Sequence, residues 1–350
     1  MSNAFLEGFG LLEGAGRANG TSLDEGNVIR VSLSEAAAPP NGSSALTLDR
    51  LISGDVELDN GGFIIPEAGW YALTARVSFY DALTCSRLAI TVSDKSQGAL
   101  LAFESHGDGS IGSLAFSDEI FLGKGITVGL DIYQNSGAPA SLIDPNDPAY
   151  FTRPNSLTAR LINPIVKPFS RKLIGVGDSL MAGAVCGADN VALEFLTTGE
   201  TVNLGVNGTD TTTLAARIAP VIAAGGSDVD LIVHLGVNDL RLAEDPDIEV
   251  LVDRFETFFN AVRPSVQRMV YITPPPVSGA YANEDYVTNR TAFIAAMEAR
   301  EIVGLRIART DQAYIGATGT SEVPGLYPDK LHASALGQLG IAKVVAPHLR

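Results

Sequence analysis

The feature that most constrains this chain is a change in the period of its hydrophobic pattern at a proline-flanked segment, Asn163-Pro164-Ile165-Val166-Lys167-Pro168. Before it, apolar residues alternate with polar ones over short runs, as in 70–79, 87–92, 126–133 and 156–162, with Gly, Asp, Asn and Ser between them. Period-two alternation bounded by turn residues specifies antiparallel strands with one buried face, so this half is an all-β sandwich. After it, short strand-like runs rich in apolar residues at 172–177, 201–204, 231–235, 269–273 and 305–308 have helical stretches between and after them at 212–223, 248–262, 286–301 and 334–345. Strands alternating with helices specify a parallel sheet covered on both faces, an α/β/α three-layer domain. Proline restricts its own φ and its predecessor's conformation, so the segment between the halves is an extended linker. The expected organisation is a segment at 1–40 that anchors or hangs free, a β domain at 41–163, a linker at 164–170 and an α/β domain at 171–350.

Charge excludes several partners. Residues 1–166 carry 9 basic and 19 acidic side chains, and residues 167–350 carry 15 and 21. Neither half offers the basic face that nucleic acid or an anionic membrane requires. No run of 18 apolar residues occurs, so no membrane-spanning helix is expected. The two cysteines, Cys85 and Cys186, fall one in each half, so a disulfide framework is not expected. The first residues lack the basic start and apolar run of a secretion signal, so an extracellular site of action implies release by lysis or assembly into a particle.

Four short blocks in the second half carry chemistry. Gly177-Asp178-Ser179-Leu180 stands where the first parallel strand ends, and ligands of open α/β sheets bind outside the carboxyl ends of strands. A helix cap accounts for such an Asp or Ser equally well. The run from Asn203 to Gly208 puts a glycine turn after the second strand, able to aim a backbone N–H at a ligand or merely to connect strand and helix. Gly236-Val237-Asn238-Asp239 follows the third strand, where Asn238 can present a side-chain amide or form an Asx turn. Asp329-Lys330-Leu331-His332 precedes the last helix, where a histidine can act as general base with an aspartate three residues earlier to orient its ring. Singly these are weak signals. Their order and spacing would gather them at one crevice.

Together the blocks resemble the four signature blocks of the SGNH, or GDSL-type, hydrolase family over about residues 171–350, which implies a three-layer domain of flavodoxin-like type. The resemblance implies a serine esterase with Ser179 as nucleophile, His332 as general base and Asp329 orienting it. It implies an oxyanion hole built from the N–H groups of Ser179 and Gly208 and the amide of Asn238, with no metal and no cofactor. Asp178 is expected to hold the turn, Asp239 to pack against the loop, and His234 to be a satisfied core histidine. His106 and His348 belong to no constellation, and the prolines after Thr273 are expected at the substrate rim.

In the first half, Phe63 followed by Gly69 and Tyr71, with the alternating strands after them, resembles the jelly roll of complement-like globular heads, relatives of tumour necrosis factor. Leu73 stands where that family usually has an aromatic residue. The resemblance implies a homotrimer. The pairing of the two domains looks like a receptor-binding spike or fibre of a bacteriophage-like particle, anchored through residues 1–40. The expected activity is then O-deacetylation of an acetylated surface polysaccharide, at a virion or extracellular location. The alternatives are a glycan-binding adhesin with little catalysis, and a free esterase, cytoplasmic or secreted, acting on lipid or small acyl esters.

Overall fold

The structure, a computed structural model, describes residues 28–32, 42–46, 50–53, 56–59, 61–83, 86–92, 100–105, 111–134, 156–243, 245–277, 281–311 and 326–350. Most of the expected anchoring segment, along with His106 and Cys85, lies outside them. Internal contacts divide the chain into two compact units that meet between Ile165 and Val166.

The first unit holds eleven described strands: β1 (Val28–Ser32), β2 (Gly42–Leu46), β3 (Arg50–Ser53), β4 (Leu58–Asp59), β5 (Gly62–Ile64), β6 (Gly69–Leu83), β7 (Ser86–Val92), β8 (Leu100–Ser105), β9 (Ile111–Leu122), β10 (Thr127–Gln134) and β11 (Ser156–Pro164). They form two sheets of antiparallel neighbours, in the orders β3-β1-β11-β6-β9 and β4-β5-β10-β7-β8, with β2 also paired to β10. Alternate residues Tyr71, Leu73, Ala75 and Val77 of β6 are buried, as are Leu157 and Ala159 of β11 and Val128 and Leu130 of β10. This is the one-sided burial that the period-two pattern demands.

Two details differ from the sequence reading. Val28–Ser32, assigned there to the anchoring segment, pairs with β11 and β3 inside the first sheet. Pairing of β11 with β6 runs on to Asn163↔Trp70 and Pro164↔Gly69 after a register shift, so the start of the expected linker is strand. Proline is tolerated there because it stands at the strand's last position.

The second unit holds β12 (Lys172–Gly177), β13 (Thr201–Gly205), β14 (Val229–His234), β15 (Arg268–Ile272) and β16 (Leu305–Ala308). All pair in parallel, in the order β13-β12-β14-β15-β16. The helices are α1 (Ser179–Ala182), α2 (Ala192–Leu196), α3 (Leu214–Ala224), α4 (Val237–Leu242), α5 (Ile248–Val262), α6 (Tyr286–Ala299) and α7 (Ala335–Val345). Every residue of β14 is buried, which explains its apolar centre Leu231–Val233, while Asp230 and His234 are polar residues buried at its two ends. Ile174, Val176, Leu231 and Val233 share one core with Leu214 and Val221 of α3, Phe255, Phe258 and Phe259 of α5, and Phe293 of α6. Between them on β12, Gly175 faces α2, where an added Cβ would lie 2.4 Å from the Leu193 side chain. Two of the larger helices, α5 and α7, begin at side-chain caps: Asp247 accepts from Val250 N–H, and Ser334 from Gly337 N–H.

The strand order reverses direction between β12 and β14. Such a switch point opens a crevice at the carboxyl ends of the two strands. The nucleophile block follows β12 and the Gly236–Asp239 block follows β14, so both blocks lie at that crevice.

Candidate active site

Ser179 begins a single helical turn, and its neighbours are tied down in every direction. Asp178 caps the turn by accepting from Leu180 N–H at 2.9 Å, the role expected of it. Its own N–H reaches His234 O across the β12–β14 pair. Asn203 donates to Met181 O at 2.8 Å while its Oδ1 accepts from Gly205 N–H. Gln338 of α7 donates to Leu180 O at 2.9 Å and accepts from Ala192 N–H. Close packing completes the frame: a Cβ on Gly177 would meet His234 O at 2.2 Å, and one on Gly205 would meet Ala182 N at 2.5 Å. Real Cβ atoms do not approach backbone so closely, so only glycine lets β12, β13 and α1 converge here.

His332 lies 153 residues away in sequence, yet its Nε2 is 2.8 Å from Ser179 Oγ. Its Nδ1 is 2.6 Å from Asp329 Oδ2. The other carboxylate oxygen, Oδ1, accepts from the N–H groups of His332 (2.7 Å) and Leu331 (3.0 Å). Lys330, inside this turn, has φ 69°, the left-handed region that side chains other than glycine enter at a cost of about 1–2 kcal/mol. That turn lets one aspartate grip both the backbone and the ring of a residue three positions on. Partial burial pushes the Asp329 carboxyl up, but the hydrogen bonds from the His332 ring and backbone and from Leu331 outweigh it and hold Asp329 below the usual carboxylate range. An ionised Asp329 keeps the proton of a neutral His332 on Nδ1, leaving Nε2 to accept from the serine.

Asn238 meets the loop after β13 at Thr209, the residue next to Gly208. Asn238 is buried and donates from Nδ2 to Thr209 O at 2.7 Å. Thr209 Oγ1 and Val206 N–H both reach Gly177 O, two residues before Ser179. Gly208 has φ 75°, and nothing lies within 4 Å of where its Cβ would sit, so the loop is open at this point. Asp239 packs against the same loop as expected, accepting from Thr211 N–H and Oγ1. The structure therefore joins Ser179, His332 and Asp329 in one hydrogen-bonded chain. It ties Asn238 to the loop that holds Gly208, and that loop to the end of β12.

Three residues that the sequence reading passes over are part of this frame. Arg241 donates from Nε to Asn238 Oδ1 at 2.9 Å and lies over the Tyr281 ring at 5.7 Å. Tyr281 meets the His332 ring edge-on, with centroids 6.5 Å apart. Gln338 is the third. None had a motif signal: Tyr281 and Gln338 act through contacts distant in sequence, and Arg241 joins a neighbour three residues back to Tyr281, forty residues on.

Two expectations need adjustment. His234 is buried in the sheet, but its Nε2 has no hydrogen-bond partner among the described residues, so it is not a satisfied histidine. Burial lowers its pKa to about 3, which keeps it neutral. The residues after Thr273 are built into the domain: Pro274 and Pro275 are buried, Pro274 O accepts from Arg290 Nε, and Pro275 O accepts from Tyr286 OH. Burial also drives Asp178 up to about 7, helped by the nearby Asp239 charge and opposed by Leu180 N–H and Arg241. Its Oδ2 has no hydrogen-bond partner among the described residues. Among those residues no group of three His, Cys, Asp or Glu side chains is placed to hold a metal ion, and no helix is long and apolar enough to cross a membrane.

No family model and no curated protein matches the chain. Solved structures similar to it include a G-D-S-L family lipolytic protein from Veillonella parvula (10% identity, 50% of this chain and 96% of that one, TM-score 0.43). A catalytic mutant of the acetylxylan esterase Axe2 from Geobacillus stearothermophilus shares 19% identity over 53% of this chain and 96% of its own (TM-score 0.41). A Bacillus subtilis protein covers 92% of this chain and 87% of its own at 15% identity (TM-score 0.41). At these TM-scores the likeness carries nothing about activity.

Proposed function

We propose that the second domain is a serine ester hydrolase. The observation that carries this reading is the hydrogen-bonded chain Ser179 Oγ–His332 Nε2 and His332 Nδ1–Asp329 Oδ2, at 2.8 and 2.6 Å. In this reading His332 takes the Ser179 proton as Oγ attacks the ester carbonyl. The negative charge that develops on the carbonyl oxygen is met by the N–H groups of Ser179 and Gly208 and by the second N–H of Asn238, the first being spent on Thr209 O. As the tetrahedral intermediate collapses, His332 returns the proton to the departing alcohol. Water, deprotonated by the same His332, then attacks the acyl-serine, and His332 gives that proton to Ser179 Oγ as the acid departs. Asp329 stabilises the imidazolium in both halves. A single oxyanion donor is worth about 3–4 kcal/mol of barrier in comparable serine hydrolases.

The substrate we propose is an acetylated polysaccharide. Tyr281 packs edge-on against the His332 ring, and Asn238 bonds to Thr209 O in the loop tied to the end of β12, polar and aromatic groups that suit a hydroxylated substrate better than an alkyl chain. The all-β domain, read as a trimeric jelly roll of a phage-like attachment spike, would deliver the hydrolase to a host surface; this part rests on domain pairing alone. The test is acetate release from a panel of acetylated glycans and aryl acetates by the full chain. Release that disappears in Ser179→Ala supports the reading. A folded protein that releases nothing from the whole panel overturns it. Glycan binding that persists in Ser179→Ala while release stays absent would favour an adhesin.

A further inference from the structure

We infer that Arg241 is a positioning residue, which holds the Asn238 amide in the one orientation that points an N–H at the crevice. The inference rests on the hydrolase reading proposed above. An asparagine side chain has one acceptor end and one donor end, and rotation by half a turn exchanges them. Here both ends are fixed. Oδ1 faces Arg241 Nε at 2.9 Å, a group that only donates, and Nδ2 faces Thr209 O at 2.7 Å, a group that only accepts. A flipped amide would set donor against donor and acceptor against acceptor. The guanidinium has donors and no acceptor, and a charged donor makes the stronger bond.

Arg241 is itself held. Its guanidinium lies over Tyr281, whose ring packs against His332, and Asn283 donates to Arg241 O and Ala243 O. One side chain thus spans the oxyanion side and the base side of the site. Positions i and i+3 on a helix are neighbours, which lets Arg241 reach back to Asn238 within α4.

The side-chain lengths give a sharp test. The amide nitrogen of glutamine falls where arginine has Nε, methionine has no donor there, and lysine keeps the charge but carries its nitrogen one atom further out. Arg241→Gln should therefore stay within a few-fold of wild type. Arg241→Met should lose about 30-fold in kcat, a fraction of the 10²–10³ that deletion of a whole oxyanion donor costs, with KM nearly unchanged. Arg241→Lys should resemble Met. Asn238→Ala combined with Arg241→Met should be no slower than Asn238→Ala alone. Loss in Gln but not in Lys would mean charge rather than orientation. A rise in KM at constant kcat would mean a direct substrate contact, and full additivity with Asn238→Ala would mean an independent role. Each of these overturns the inference.

A second readout does not depend on turnover. In ¹⁵N-asparagine-labelled full-length protein, the Asn238 side-chain amide, assigned by its absence in Asn238→Ala, should stay sharp in wild type and Arg241→Gln. It should broaden and shift in Arg241→Met. An unchanged signal overturns the inference. If wild type hydrolyses no ester, the hydrolase reading fails, and this signal still judges the positioning role.

Discussion

Replacing Asp178 by Asn isolates one buried charge beside the nucleophile. Asp178 is fully buried, and burial with the neighbouring Asp239 moves its carboxyl from the ordinary 3.8 to about 7. Between about pH 4 and pH 7 the native protein therefore holds a proton there that the unfolded chain has lost. A native state that binds more protons loses stability as pH rises through that window. At 1.36 kcal/mol for each tenfold change in proton affinity, the loss from this one group is about 4 kcal/mol. Asparagine preserves the shape and still caps Leu180 N–H, but it does not ionise. The stability of Asp178→Asn relative to wild type should therefore grow by about 4 kcal/mol between pH 4 and pH 8, whatever constant offset the new amide adds. Equilibrium urea denaturation at several pH values measures this. The far-UV helical signal follows the second domain, whose helices dominate it, while the chain's one tryptophan, Trp70, reports the first domain separately. Ester hydrolysis should stay within a few-fold of wild type, because the cap that holds Ser179 survives. A stability difference flat with pH to within about 1 kcal/mol would refute the reasoning, since it would mean that Asp178 ionises in the folded protein as it does in the unfolded chain.

Two glycines near the site should behave oppositely. Gly205→Ala would drive a Cβ into the backbone of Met181 and Ala182, so both melting temperature and kcat should fall. Gly208→Ala meets nothing and keeps its N–H, so it should cost about 1 kcal/mol of stability for its positive φ and little kcat. Asp329→Asn should leave the fold intact but cut kcat by about 10⁴, as the wrong tautomer of His332 does in comparable triads. It should also remove stability that wild type has above the ordinary carboxylate range and loses as pH falls through the lowered Asp329 pKa, a loss that acid titration of the two proteins compares.

The α/β domain is written plainly in the sequence, and physics explains why. The strand at Lys172–Gly177 and the helix at Ile248–Val262 fall where the sequence reading puts them, because a sheet covered on both faces demands unbroken apolar strands and an amphipathic helix shows its own period. Ser179, Asn238 and His332 were legible because they sit beside strand ends and helix starts that the pattern already located. What the pattern hides is whatever depends on distant partners. Val28–Ser32 is held as a strand between β3 and β11, the latter more than a hundred residues later. Gln338 matters because its amide bridges Leu180 and Ala192, and Arg241 because its guanidinium meets Asn238 and Tyr281 together. The environment of His234 is equally illegible: a histidine in an apolar strand reads as core, but whether its ring finds a partner is decided by the helices packed over it.

The central claim is that Ser179 is a nucleophile activated by His332, and covalent labelling tests it most directly. The full chain is treated with a fluorophosphonate, digested, and the modified peptide identified by mass spectrometry. One adduct, on Ser179, lost in Ser179→Ala and slowed at least a hundredfold in His332→Ala, is the predicted result. Folded protein that takes no label, or takes it on another residue, would contradict the account.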